Sequence, residues 1–445
     1  MFRTTQRNVV LIAAAVSLAA ACSAGGGDQL FTTSSGGGSG GDGQGAGGSG
    51  SGAGSTGTGG EITIITGSGG GTTTGNVCNH PPDVDGDADG WTGAEGDCND
   101  CDPNVNPGAI EVVAEDPNAD PSDEDCDGTI DNEPTPCDDT LAIDDENPRS
   151  AAKAVELCKF TVANPGNKNQ KTWGVLDARW VLPDGTDPTT AFINMAGFHL
   201  GHGMLTGLGP NVHVQGGQRM LGLSSGTARQ PTDPGYQNVG GFSKGYTSGS
   251  PAGFPKESPA CPGTVTGTPN DGTSVELQIR TPTNATGFTF DFNFFTYEWP
   301  SYVCSTFNDF FVALLSPIPV GQTDGNISFD KQGNPASVNN AFVEACGCLG
   351  GPPCQAGGKT FTCALGTGPL VGTGFGADTA GSEHASTGWL NTKAPVKGGE
   401  TITIRWTVYD SGDGILDSTT LVDNWKWIAN GGTVTVGTDP IGQPK

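Results

Sequence analysis

Thr401-Ile-Thr-Ile-Arg-Trp-Thr-Val408 alternates strictly between polar and apolar residues. Successive side chains of a strand point to opposite faces, so Ile402, Ile404, Trp406 and Val408 fall on one side. Thr401, Thr403, Arg405 and Thr407 fall on the other. Phe288-Thr-Phe-Asp-Phe-Asn-Phe294 repeats the pattern with four phenylalanines on the inner face. Residues 275–279, 309–315, 421–427 and 433–436 add short apolar runs, separated by Gly, Pro, Asn and Asp turns. Only 148–158 shows helical spacing, through Ala151, Ala154, Val155 and Cys158. Many short strands with almost no helix predict an all-β fold, an antiparallel β-sandwich or jelly roll, over residues 138–440.

Outward from this region the composition changes. The chain has 445 residues and a formal charge of −28. No Lys or Arg occurs between Arg7 and Arg149, while residues 83–133 hold 18 carboxylates. Phosphate contacts need clustered Lys and Arg, so the balance argues against nucleic acid as a partner and favours divalent cations. Residues 36–60 are almost entirely Gly, Ser, Ala and Thr and bury nothing; a disordered linker is expected. From Gly25 to Gly75 its r.m.s. reach is on the order of 40 Å.

The N-terminus reads as an export signal over 1–21, with Arg3 and Arg7 before an apolar run from Val9 to Ala21. Leu18-Ala-Ala-Ala-Cys22 resembles a bacterial lipobox, with its leucine four rather than three residues before the cysteine. That resemblance implies a lipidated Cys22, a linker over 22–76, and a membrane reached through the lipid anchor. Ser23 gives no inner-membrane retention signal of the Asp type, so the outer membrane or cell surface is the expected location. Thirteen cysteines less Cys22 leave twelve, which in an exported chain implies up to six disulfides. Cys98 with Cys126 and Cys261 with Cys304 are candidate pairs. Cys346 and Cys348 are too close to pair with each other, so each seeks Cys354 or Cys363.

Residues 77–137 form the acidic segment. Calcium takes six to eight oxygens from a loop that turns tightly. Asp85, Asp87 and Asp89 occupy positions 1, 3 and 5 of such a loop, Gly90 supplies the turn, and the Trp91 carbonyl falls at position 7. The bidentate Glu of an EF-hand is replaced by Gly96, so Asp97, Asp100 and Asp102 are the candidates to close the shell. Asp123, Asp125, Asp127 and Asp131 form a second acidic cluster, folding back through Cys126. The segments Asp83–Trp91, Gly96–Asp100, Asp102–Glu111 and Asp125–Asp131 together resemble the MopE-type metal-binding repeat of bacterial surface proteins. That family's label mentions copper. An all-carboxylate donor set is hard and points to calcium instead, whereas copper(I) prefers thiolate, thioether or imidazole. Cys98 and Cys101 form a CxxC that suits a soft metal only when reduced.

The segments Asp177–Gly185, Met220–Ala228, Phe290–Trp299, Thr306–Phe311 and Tyr409–Trp425 resemble the choice-of-anchor L domain. The resemblance spans most of 150–430 and implies attachment to a cell surface; it transfers no catalytic residue. Asp410, Asp413, Asp417 and Asp423, with Glu298, Asn308 and Asp309, are speculative candidates to meet at one end of the sandwich and hold a calcium ion, a reading that ranks below the next. The competing reading is that they cap turns.

Signals for an enzyme are weak. Gly222-Leu-Ser-Ser-Gly226 matches the nucleophile-elbow pattern, but the Pro- and Gly-containing sequence after it forms no helix. His199, His202 and His213 lack a metal-binding helix. These observations predict a non-enzymatic surface lipoprotein, stabilised by calcium, whose sandwich binds an extracellular glycan or protein. Two alternatives stay open. One is a secreted glycan hydrolase pairing Glu298 with Asp309 or Asp410; the other is a copper- or metal-sequestering surface protein.

Overall fold

The computed structural model describes residues 80–113, 121–132, 134–339, 342–376, 384–429 and 431–442. The expected signal segment, Cys22 and the Gly/Ser-rich linker lie outside them. All described residues fall in one compact unit, Gly75–Lys445.

Most of its strands build two antiparallel sheets. In chain order the strands are β1 (Gly174–Val181), β2 (His202–Leu205), β3 (Gly207–Leu208), β4 (Val212–His213), β5 (Met220–Ser224) and β6 (Pro269–Arg280). Then come β7 (Ala285–Thr296), β8 (Phe310–Ser316), β9 (Ala336–Ser337), β10 (Ala345–Cys346), β11 (Cys354–Ala356) and β12 (Lys359–Phe361). The last are β13 (Ala385–Ser386), β14 (Leu390–Pro395), β15 (Thr401–Ser411), β16 (Ser418–Ala429) and β17 (Gly437–Pro440). One sheet runs β1-β6-β15-β8-β9; the other runs β10-β13-β7-β16-β5-β2, with β14 beside β7 and β17.

The alternation in β15 does what its period requires. Ile402, Ile404, Trp406 and Val408 are buried and join Val275, Leu277 and Ile279 of β6 and Phe311 and Ala313 of β8. Facing them are Phe288, Phe290, Phe292 and Phe294 of β7. Phe290 meets Trp406 edge-on at 5.5 Å, Phe292 meets Phe311 at 4.8 Å, and Phe288 stacks on Trp425 at 4.1 Å. Aromatic pairs at these separations add to their area burial. The opposite face of the β1-β6-β15 ladder is polar: Glu276 takes Arg405 at 2.7 Å and Arg179 at 2.5 Å from the strands on either side. The β7-containing sheet is covered on its second face as well. Phe295, Leu421 and Met220 pack there against Leu370 and Phe375.

Two expectations need correction. The helix expected over 148–158 is only Pro148–Lys153, capped by the Asn147 side chain. Glu156, with φ of 66°, turns the chain out of it, and Cys158 bridges to Cys137. Residues 433–436 form no strand. Val434 packs onto Gly287 and Val436 onto the core without backbone pairing, and the strand begins at Gly437 instead. Disulfides join the candidate pairs Cys98–Cys126 and Cys261–Cys304, and of the two partners left open Cys346 takes Cys363 and Cys348 takes Cys354.

Phe290→Ala removes the ring wedged between the sheets. A cost of about 3–5 kcal/mol is expected, read as a lower urea midpoint at fixed calcium. A loss below about 1 kcal/mol contradicts this account of the core.

Candidate metal centre

The acidic segment contains the same turn twice. In the first, Asp85 accepts the amides of Ala88 (2.7 Å) and Gly90 (3.0 Å), Asp87 that of Asp89 (3.1 Å), and Asp89 that of Trp91 (2.7 Å). In the second, Asp123 accepts the amides of Asp127 (3.1 Å) and Gly128 (2.9 Å), Asp125 that of Asp127 (3.2 Å), and Asp127 that of Thr129 (2.8 Å). Left-handed residues fall at matching positions, Ala88 and Gly90 in one, Cys126 and Gly128 in the other. Asp85-Gly-Asp-Ala-Asp-Gly and Asp123-Glu-Asp-Cys-Asp-Gly are therefore one loop repeated. Glycine meets the positive φ at its last position without strain.

Carboxylate oxygens converge at both loops. Asp85, Asp87 and Asp100 bring theirs within 4.8 Å of one another, and so do Asp87, Asp89 and Asp97. Asp97 is 7 % exposed; one oxygen accepts the Asn99 amide and Oδ2 has no hydrogen-bond partner. Oδ2 of Asp87 is in the same condition. Burial pushes the carboxyls of Asp89 and Asp97 up to about 6. Buried anionic oxygens without donors are costly unless a cation meets them. The Trp91 amide serves Asp89, while its ring is buried beneath the Lys168 ammonium at 6.0 Å. Asp102 does not join the converging groups; it accepts from the Asn104 amide and side chain in its own turn.

At the second loop the converging sets are Glu111, Asp123 and Asp125, and Glu111, Glu124 and Asp131. Glu111 and Glu124 escaped the sequence reading as ligands. Glu111 is central: its two oxygens accept the amides of Asp125 (3.0 Å) and Asp131 (2.7 Å). The available signal was its place at the end of the Asp102–Glu111 segment. Asp127 lies outside both sets, its second oxygen taken by Asn132 at 2.8 Å. The Cys98–Cys101 pair is not dithiol: Cys98 bridges to Cys126, and Cys101 is disulfide-bonded too.

The segment is fastened to the sandwich. Asn284 exchanges hydrogen bonds with the backbone of Ile110 at 3.1 and 2.8 Å, and the Thr283 amide donates to Gly108 at 3.0 Å. Asn106 links the two systems, accepting from the Thr283 hydroxyl and donating to Asp89, both at 2.7 Å. Gly108 must lack a side chain, because a Cβ would stand 2.9 Å from Thr283.

Of the C-terminal carboxylates, Asp410 and Asp417 do lie at one end of the sandwich with Asp309 and Glu298. All four are buried, and burial first, then neighbouring carboxylates, push them well above the usual range. Asp413 is half-buried beside Glu298. Asn308 instead accepts the Asn339 amide at 3.0 Å. Asp423 belongs elsewhere, its oxygens accepting the amides of Gln215 (2.5 Å) and Asn424 (2.8 Å). Glu156 lies beside it in charge, with Asp138 in turn beside Glu156. His199 and His202 hydrogen-bond each other at 2.9 Å, and Trp180 stacks on His202 at 3.8 Å. The Ser224 hydroxyl accepts from Gly226 and Thr419 at the end of β5, with no helix after it.

Residues 223–424 match the family model of the Choice-of-anchor L domain. The match runs from the end of β5 into β16 and so takes in the central strands of both sheets. No curated protein matches the chain, and no solved structure does.

Burial, then the charges of Asp423 and Asp138, raise Glu156 to about 9; burial raises Asp423 to about 7. A carboxyl raised in the folded state favours folding at low pH and costs stability as pH climbs from the unfolded value through the folded one. Melting temperature is therefore expected to fall between about pH 4 and pH 9, and Glu156→Gln to flatten that fall. Melts of both proteins across this range check it; parallel profiles count against the pairing.

Proposed function

We propose that this chain is a non-enzymatic cell-surface protein, held by a lipid on Cys22, whose acidic segment binds calcium and whose sandwich binds an extracellular glycan or protein. The matched domain family supports the surface location. The observation that carries the calcium reading is the repeated Asp-x-Asp-x-Asp-Gly loop with converging carboxylates, together with the buried, unpartnered oxygen of Asp97. The donors are all oxygen, at irregular spacing, which suits calcium's flexible shell better than magnesium's octahedron. Asp85, Asp87, Asp89, Asp97 and Asp100 would hold ions at the first loop, and Glu111, Asp123, Asp125 and Asp131 at the second.

Copper finds no thiolate there, since Cys98 and Cys101 are in disulfides. The hydrolase reading needs two carboxyls facing a sugar. Glu298, Asp309 and Asp410 are at most 3 % exposed, so a glycan has no approach to them.

Calorimetric titration of the mature chain with calcium is expected to show saturable binding and a higher melting temperature, with Asp87→Ala and Asp125→Ala each removing part of the heat. No heat in the parent chain sinks the calcium reading. Separately, Cys22→Ser should shift the protein from the membrane fraction to the soluble one and abolish incorporation of labelled fatty acid. Unchanged membrane association argues against the anchor.

A further inference from the structure

Where the acidic segment meets the sandwich they form a cleft of about 290 Å³. Asp89 and Trp91 of the first loop line it, with Lys171, Trp173, Arg280 and Glu400 from the sandwich. Its size is near the lower bound for small-molecule sites, about 300 Å³, which leaves room for a ring-sized group.

The lining is cationic in a chain that is not. Lys and Arg number 20 against 48 carboxylates, yet Lys168, Lys171 and Arg280 all line this cleft. Lys168 and Lys171 stand three residues apart on a 3-10 turn, a spacing that brings side chains to the same side. Arg280 closes β6 and is 5 % exposed.

Ion pairing leaves two of these charges unanswered. Glu95 takes Lys168 at 2.6 Å, and Lys397 takes Glu400, also at 2.6 Å. Asp89 is held by the Asn106 side chain and the Trp91 amide. Among the described residues no carboxylate pairs with Lys171 or Arg280. Lys171 is exposed. Arg280 gives three of its five N–H donors to the carbonyls of Val162 (3.0 Å), Ala163 (2.8 Å) and Thr172 (3.0 Å). Those acceptors are neutral, and burial alone lowers the guanidinium from its ordinary value. A buried arginine is ordinarily paired, and its planar fork matches a carboxylate. Repulsion from the rest of the chain is screened beyond about 8 Å at physiological salt, so the lining decides which ion enters.

Trp173 supplies the apolar wall. It is half-buried, with the Lys159 ammonium over its ring at 5.1 Å and Trp427 meeting it edge-on at 6.1 Å. We infer that the cleft binds one uronate residue of an acidic polysaccharide, its carboxylate met by Lys171 and Arg280 and its ring packed against Trp173. This rests on the reading of the chain as an extracellular binder and names the chemistry of what it binds. A ring with one carboxylate matches one indole wall beside two unpaired cations, and the cleft is too small for a longer segment.

Calorimetry of the full mature chain tests this with galacturonate trimer as the probe. Galactose trimer is the neutral control and triglutamate the acidic peptide, each in calcium and again in chelator. Saturable binding of galacturonate is expected in at least one condition, with none of galactose. Lys171→Glu changes an exposed side chain without an ion-pair partner. It is expected to keep the parent's melting temperature and to weaken galacturonate by about tenfold or more, the weight of one charge-assisted contact. Arg280→Lys, which keeps the charge and loses the fork, is expected to weaken it as well. No galacturonate binding in either condition overturns the inference. Binding that Lys171→Glu leaves unchanged does the same, and so does galactose bound as tightly. Triglutamate or another ligand bound in place of galacturonate overturns it while the chain remains an extracellular binder. Galacturonate bound without any calcium heat sinks the loop reading and leaves this one standing.

Discussion

Between Arg280 and Ala285 the chain leaves one sheet and enters the other, and this passage sets the position of nearly everything else. β6 is an inner strand of its sheet and β7 of the second, so the passage between them spans the interior that Phe290 and Trp406 fill. The turn itself offers Thr283 and Asn284 to the acidic segment. The same two strands, at their other ends, bring Asp271 and Glu298 to the buried carboxylates. A change that slips the register of either strand by one residue would turn its core-facing side chains outward, Val275, Leu277 and Ile279 of β6 or the phenylalanines of β7, and displace both charged regions together.

The molecule concentrates negative charge where folding ordinarily avoids it. On the acidic segment the cost is moderated by backbone: a loop amide is aimed at each of Asp85, Asp87, Asp89, Asp123, Asp125 and Asp127. Such charge-assisted hydrogen bonds stabilise an anion without any cation. At the sandwich end that device is nearly absent, and hydroxyls and one lysine stand in for it. The two regions differ in preorganisation, one rigidly turned by glycine and amides, the other shaped by strand ends.

Much of the sandwich was legible because period-two alternation is a local property: β15 and β7 could be read residue by residue. The segment at 433–436 shows the limit, since alternation marks a half-buried extended chain and does not guarantee a neighbour to pair with. Helical spacing at 148–158 failed for a related reason. Ala151, Ala154 and Val155 are buried, yet the Cys137–Cys158 bridge and the turn at Glu156 end the helix within six residues. In the acidic segment the loop aspartates were visible from spacing alone. Glu111 was not, because its role depends on a fold that returns it to Asp125 and Asp131. Asp423 looked like its neighbours in sequence, but β16 carries it along the sheet, away from Asp417.

The hydrogen bonds between Ile110 and Asn284 join residues 174 apart in sequence. Loop closure over such a span is slow relative to local turns. The acidic segment thus lies ahead of the sandwich in the chain, yet the residues that support it, Thr283 and Asn284, stand at the passage between the two central strands. The first-made segment therefore depends for its orientation on a surface that the chain supplies only 174 residues later.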